Sequence, residues 1–187
     1  MPEGSPFESV LIAASQGAEW AWTRLVEDLD GMLRTYVRRN GAIDVDDVVG
    51  ETWLHVARRF VHFSGDERDF RSWVFMVAHH RIIDERRRMG RKPIVCAEAA
   101  MAEESSACAP SAEDEAVERL GEEELRSHLQ TLSRDQREVV ILRFVAGFGV
   151  VEIARIMGKT PGSIQALQRR ALKRLEKKLR QSGKHSA

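Results

Sequence analysis

Residues 150–179 read VVEIARIMGKTPGSIQALQRRALKRLEKKL, and this stretch decides what kind of molecule the chain is. Val150, Ile153, Ala154 and Met157 have helical spacing, and the run stops at Gly158, a residue suited to a left-handed helix end. Thr160 then offers a side-chain cap, and Pro161 occupies the first helical position, where its missing N–H costs nothing. A short helix, a glycine turn and a second capped helix make a helix-turn-helix. Ala154 is small where two helices would cross, and Ile164 and Leu167 can pack the second helix back. At about 100° per residue, Ile164, Leu167, Ala171, Leu175 and Leu179 share one side. Ala166, Arg169, Arg170, Lys173 and Lys177 share the other, which can face phosphates and bases.

Charge counted outward from this motif shows a segregation that the overall balance of 29 basic and 29 acidic residues conceals. Residues 1–90 sum to −3, residues 91–124 to −7 and residues 125–187 to +10. So basic a carboxy-terminal unit is an electrostatic footprint for nucleic acid. The acidic middle, AEAAMAEESSACAPSAEDEAVE, lacks apolar periodicity and carries Pro110 among small residues, which reads as a linker. The expected organisation is a first domain over 1–90, a flexible acidic linker over 91–121 and a helix-turn-helix domain over 122–187. Few aromatics, an abundance of Leu, Ala, Arg and Glu, and no hairpin signal place the chain in the all-α class.

In the first unit, helical spacing runs from Phe7 to Glu27 and from Met32 to Arg39, with breaks expected near Gly31 and Gly41. Asp44 is placed to cap DVDDVVGETWLHVARRF, in which Val45, Val48, Val49, Thr52, Trp53, Val56 and Phe60 form one stripe. A polar break, SGDER, precedes a long helix from Asp69 to about Met89. On that helix Phe70, Trp73, Val74 and Val77 share the inner face, whereas Arg71, Phe75, His79, Arg86 and Arg87 lie elsewhere and are expected to face outward. In the second unit Leu132, Leu142, Phe144 and Val145 are expected mainly in the core.

Two strings carry a family resemblance. DVDDVVGETWLHVARR followed by FRSWVFMVAHHRIIDERRR resembles the second conserved region of sigma-70 factors. LSRDQREVVILRFVAGFGVVEIARIMGKTPGSIQALQRRALKRL resembles their fourth. They stand in family order, with the short connector of the extracytoplasmic-function (ECF) group between them. The resemblance implies a transcription initiation factor that gives RNA polymerase its promoter. By the same resemblance Asp47, Glu51 and Arg58 meet the clamp helices of the polymerase largest subunit. Arg71, Phe75, His79, Arg86 and Arg87 read the melted minus-ten element, and the loop from Ser64 to Asp69 holds a flipped base. At the minus-thirty-five element Ser163, Gln165, Ala166 and Arg169 approach base edges, while Thr160, Arg170 and Lys173 hold phosphates. An edge of the fourth region meets the polymerase flap. An anti-sigma protein and a monomeric free state are further implications, and the lack of a secretory signal pattern makes a cytoplasmic location the expectation. The sequence departs from the family's usual pattern at Gly50, commonly Gln, and at His79 and His80, where a basic residue and Asn are common.

Other classes fit less of the chain. A helix-turn-helix repressor or response regulator explains the carboxy-terminal third alone, and no phosphoacceptor or ligand pocket is legible before it. A magnesium nuclease built on Asp44, Asp46, Asp47 and Glu51 would need convergent ligands, but these acids precede an apolar stripe and diverge around a helix. Cys96 and Cys108 match no zinc or redox spacing, and the scattered His55, His62, His128 and His185 show no ligand spacing. No catalytic residue, metal or cofactor is expected. No apolar run is long enough to span a bilayer, and the amino terminus lacks the pattern of a secretory signal.

Overall fold

The computed structural model describes residues 6–90 and 125–182, and everything regular in them is helical. The expected linker lies outside the described residues, as do Cys96 and Cys108. Helix α1 (Pro6–Ser15) ends at Gly17, whose φ of +81° turns the chain into α2 (Glu19–Arg39). The expected break at Gly31 does not occur. Leu25, Leu29, Leu33, Tyr36 and Val37 bury one continuous stripe across that point, and Gly31 faces open space on the other side. Packing of this stripe outweighs the roughly 1 kcal/mol helix penalty of a glycine.

Helix α3 (Val45–Arg59) begins where expected, with the Asp44 carboxylate accepting from the Asp47 N–H at 2.9 Å. A single 3-10 turn (Phe60–His62) leads to the loop before α4 (Glu67–Gly90). Asp66 starts α4 by accepting from the Asp69 N–H at 2.9 Å. Gly65 is required there, because a Cβ at that position would stand 2.7 Å from the Asp69 Cβ. An aromatic cluster closes this end: Phe63 stacks on Trp73 at 5.3 Å, Phe60 meets Phe70 edge-on at 6.0 Å, and Trp22 meets Phe60 at 4.8 Å.

In the second half residues 125–130 are helical (α5), followed by α6 (Arg134–Phe144), α7 (Val150–Met157) and α8 (Pro161–Ser182). Ser133 opens α6 with a reciprocal capping box to Gln136. Leu129, Leu132, Val140 and Ala171 pack α5, α6 and α8 together, with Leu175 beside them. Val139, Ile141, Leu142, Ile153, Ile156 and Ile164 join a larger apolar cluster that continues into α2, α3 and α4. The two halves therefore share buried surface, with α4 lying against α7 and α2 against α6.

Candidate nucleic-acid and polymerase interface

The helix-turn-helix is built as its residues dictate. Gly158 adopts φ +61° and ψ +35°, and the following Lys159 N–H donates to the Ala154 carbonyl at 2.9 Å. Thr160 Oγ1 accepts from the Ser163 N–H at 3.3 Å and lies 3.0 Å from Ser163 Oγ, which fixes the start of α8. The Lys159 ammonium pairs with Asp135 at 3.0 Å and ties the turn to α6. Ile164 and Ala171 are fully buried and hold α8 in place, whereas Leu179 is exposed, so the apolar stripe fades toward the carboxy terminus. Thr160, Ser163, Gln165, Arg169, Arg170 and Lys173 are exposed, and Ala166 is half-buried. A concave surface lined by Gly158, Thr160, Ser163, Ala166 and Arg170 runs along the start of α8. Over its length α8 carries seven basic residues and one acidic residue, Glu176. A rigid helix with that face exposed can follow a polyanion groove.

Helix α3 presents a second exposed face. Asp47, Glu51, Leu54 and Arg58 recur every three or four residues and all are exposed, while Val48, Val49, Thr52 and Val56 are buried beneath them. Asp46 is held apart by Arg34, and Glu51 has Arg81 at 3.6 Å. Gly50 lies on this outer side with nothing near a would-be Cβ. His55, on the flank, has its pKa lowered by burial first and then by the charge of Arg81.

Helix α4 differs from expectation. Phe75 is fully buried and His79 nearly so, which corrects their placement on an outer face. Their physical partner is the other half of the chain. Phe148, from the loop between α6 and α7, meets the Phe75 ring at 5.0 Å and 71°, and Tyr36 meets its other side at 5.2 Å. The His79 Nδ1 lies 2.5 Å from Glu138 Oε1. Arg71 is half-buried, with Nη2 donating to the Ala146 carbonyl at 3.4 Å and its guanidinium 5.9 Å from the Phe148 ring centroid. Arg86 donates to the Asn40 carbonyl, and burial lowers its pKa, with the charge of Arg134 adding to the effect. Arg87 is exposed, with Asp84 at 3.7 Å. In the loop expected to hold a flipped base, Ser64 to Asp69 are exposed, and Asp69 accepts from Arg155 of α7 at 3.4 Å.

Phe144 and Val145 are also corrected: they are 60% and 41% exposed, because Glu138, Ile141 and Leu142 take the inward side of α6. Among the described residues the sequence reading missed Glu138, Tyr36 and Phe148. Glu138 is 5% exposed and accepts from the Tyr36 hydroxyl at 2.5 Å, across 102 residues of sequence. One signal was available, a glutamate inside the apolar run REVVILRF at the register of Ile141 and Leu142. Burial, reinforced by the charge of Glu138, raises the Tyr36 hydroxyl well above its ordinary pKa of 10.0.

Comparison with known proteins matches this geometry to a family. Residues 22–92 match the model described as Sigma-70 region 2, and residues 122–175 match Sigma-70, region 4. The ECF RNA polymerase sigma factor BldN of Streptomyces coelicolor is 32% identical over 89% of this chain, which spans 63% of that protein. SigD of Mycobacterium tuberculosis is 27% identical over 98% of this chain and 89% of its own. ShbA of Streptomyces griseus is 30% identical over 70% of this chain and 69% of its own. The solved structure of CnrH in complex with the cytosolic domain of CnrY superposes with a TM-score of 0.65 at 22% identity, covering 91% of this chain and 94% of that one. RpoE in complex with the anti-sigma factor NepR from Bartonella quintana gives 0.60 at 21% identity, covering 84% and 97%. Helices α2–α4 and the exposed helix-turn-helix thus stand in one recognised order, and the chain belongs to the sigma-70 family of RNA polymerase sigma factors, in its ECF group.

Proposed function

We propose that the chain initiates transcription by joining core RNA polymerase, reading a minus-thirty-five element with α8 and a melted minus-ten element with α4. The observation that carries this reading is the open basic face of α8 on a chain whose first half matches the polymerase-binding region of the same family. Ser163, Gln165, Ala166 and Arg169 approach base edges in the major groove, and Thr160, Arg170 and Lys173 hold phosphates. The exposed row of Asp47, Glu51 and Arg58 docks on the clamp helices of the largest subunit. Phe144 and Val145, apolar and exposed at the end of α6, meet the flap.

The minus-ten role falls to Arg71, Phe75, His79, Arg86 and Arg87 of α4. Melting duplex DNA breaks stacking of about 1.4 kcal/mol per step, and Phe75, fully buried against Phe148 and Tyr36, has no face open to a base in this arrangement. The domain division is the one read from sequence: 1–90, an acidic linker over 91–121, and 122–187. The chain acts without catalytic residues, metal or cofactor, as a monomer, in the cytoplasm where polymerase and chromosome are. No helix among the described residues is long and apolar enough to cross a membrane. An anti-sigma protein is its regulator, in line with the solved structure of RpoE in complex with the anti-sigma factor NepR.

The test is a core-binding assay with the charge-reversed row. The chain should bind sigma-free core polymerase one to one, and Asp47→Lys with Glu51→Lys should weaken that binding at least tenfold. Tight binding of the chain alone to duplex DNA, with no affinity for core, would replace this reading with that of a helix-turn-helix repressor.

A further inference from the structure

Two tryptophans at the start of α2 are used differently. Trp22 is structural: its Nε1 donates to the Ala14 carbonyl at 3.2 Å, and its ring meets Phe60 at 4.8 Å. Trp20, two residues earlier, is 60% exposed. A lone exposed apolar side chain means little, but Trp20 borders a groove of about 910 Å³ whose apolar lining also includes Phe7 and Val10 of α1. Both of those are half-buried against the core, so the fold itself fixes the floor of the groove. The rim is acidic. Glu19, Glu27 and Asp28 of α2 and Glu67 at the start of α4 stand around it, and Arg24 is the one basic residue of the lining. Arg24 is engaged by Asp28 at 3.0 Å. Trp20, Arg24 and Glu27 follow one another at intervals of four and three residues, which puts the tryptophan and two of the charges on one side of α2.

We propose that this groove docks a basic amphipathic segment of a partner protein: an aliphatic or aromatic side chain enters beside Phe7, Val10 and Trp20, and a neighbouring arginine lies over the Trp20 ring among the rim carboxylates. Charge selects this occupant. A phosphate backbone or an anionic lipid surface is repelled by four carboxylates offset by a single arginine. A guanidinium is drawn by the same charges, and it stacks on tryptophan more readily than an ammonium does. A metal ion is not the occupant, because among the described residues no group of acids converges to hold one. Covering Trp20 supplies the affinity, and the rim supplies the selection and the salt dependence. Apart from Glu67, which lies in the Ser64–Asp69 loop, the groove uses no residue of the faces assigned to polymerase and promoter, so the partner makes a contact separate from theirs.

A phage-displayed library of random 12-residue peptides, selected on the full chain, supplies the test. Enriched peptides should pair arginine with an aliphatic or aromatic residue and carry no acids. Made as labelled synthetic peptides, they should bind with an affinity that falls as salt rises. In fluorescence anisotropy Trp20→Ala and Glu27→Lys should each weaken that binding at least tenfold. Both positions are exposed, and an unchanged melting temperature shows that each variant is folded. If Trp20→Ala does not fold, Glu27→Lys and the indole N–H resonance of Trp20 decide the matter. That resonance, identified by its loss in Trp20→Phe, should move when peptide is added to the nitrogen-15-labelled chain. No enrichment, enrichment of acidic or purely apolar peptides, or binding that the folded variants leave intact overturns the proposal. Dimerisation of the parent chain in sedimentation, abolished by Trp20→Ala, would assign the groove to a second copy and overturn it as well.

Discussion

Helices α8 and α4 carry the same kind of expected task, and the molecule treats them oppositely. The α8 face that holds Ser163, Gln165, Arg169 and Lys173 is open, because a single neighbour layer covers its apolar stripe. The α4 face that holds Arg71, Phe75 and His79 is covered, because α4 lies between α2 and α3 on one side and the α6–α7 corner on the other. A helix with one packed side shows its partner in its periodicity. A helix packed on two sides shows a blurred pattern, and Phe75 then reads as outward when it is buried from both directions.

The comparison predicts its largest effect at Phe75. Phe75→Ala should destabilise the chain by about 3–5 kcal/mol in urea unfolding, whereas Arg169→Ala on α8 should change stability by no more than about 0.5 kcal/mol. Equal stability effects at the two sites would erase the distinction. For promoter recognition the order reverses on α8: Arg169→Ala should cost about 1–3 kcal/mol of discrimination at one base position. Lys173→Ala should weaken binding evenly and lower the salt slope by about 1. Both are read by titrating polymerase holoenzyme on promoter variants over a salt series.

Tyr36→Phe should cost about 1.5–3 kcal/mol, the range for a hydrogen bond to a charged group. It also carries a pH signature. The folded chain holds the Tyr36 proton more tightly than the unfolded chain, whose tyrosine ionises near 10.0. The contribution is therefore complete below about pH 10 and is lost as pH rises beyond it. Unfolding followed from pH 8 to 11 should show that alkaline loss in the parent chain and a smaller one in Tyr36→Phe. A gain is expected on the open side of α3, where Gly50→Ala should stabilise by about 1 kcal/mol in thermal unfolding.

Much of the fold was legible because it is written locally. The Asp44 cap, the left-handed Gly158, the Thr160 cap and Pro161 at the start of α8 are short-range signals with short-range causes. The exposed rows on α3 and α8 followed from a single helical period. Gly31 misled because local propensity lost to a buried stripe running from Leu25 to Val37. Phe144 and Val145 misled because an apolar residue at a helix end reads as core whether or not a neighbour reaches it. The seam was not legible. Tyr36, His79 and Glu138 meet across 59 and 102 residues of sequence, and no local pattern encodes such a contact. The buried glutamate in REVVILRF was its one trace.

The most direct measurement is to add the purified chain to sigma-free core polymerase and sequence the transcripts initiated from a randomised promoter library. Start sites that require both components and share two spaced sequence elements are the predicted result, with the upstream preference shifting in Arg169→Ala. Start sites unchanged by the chain, alongside tight duplex binding by the chain alone, would contradict the account.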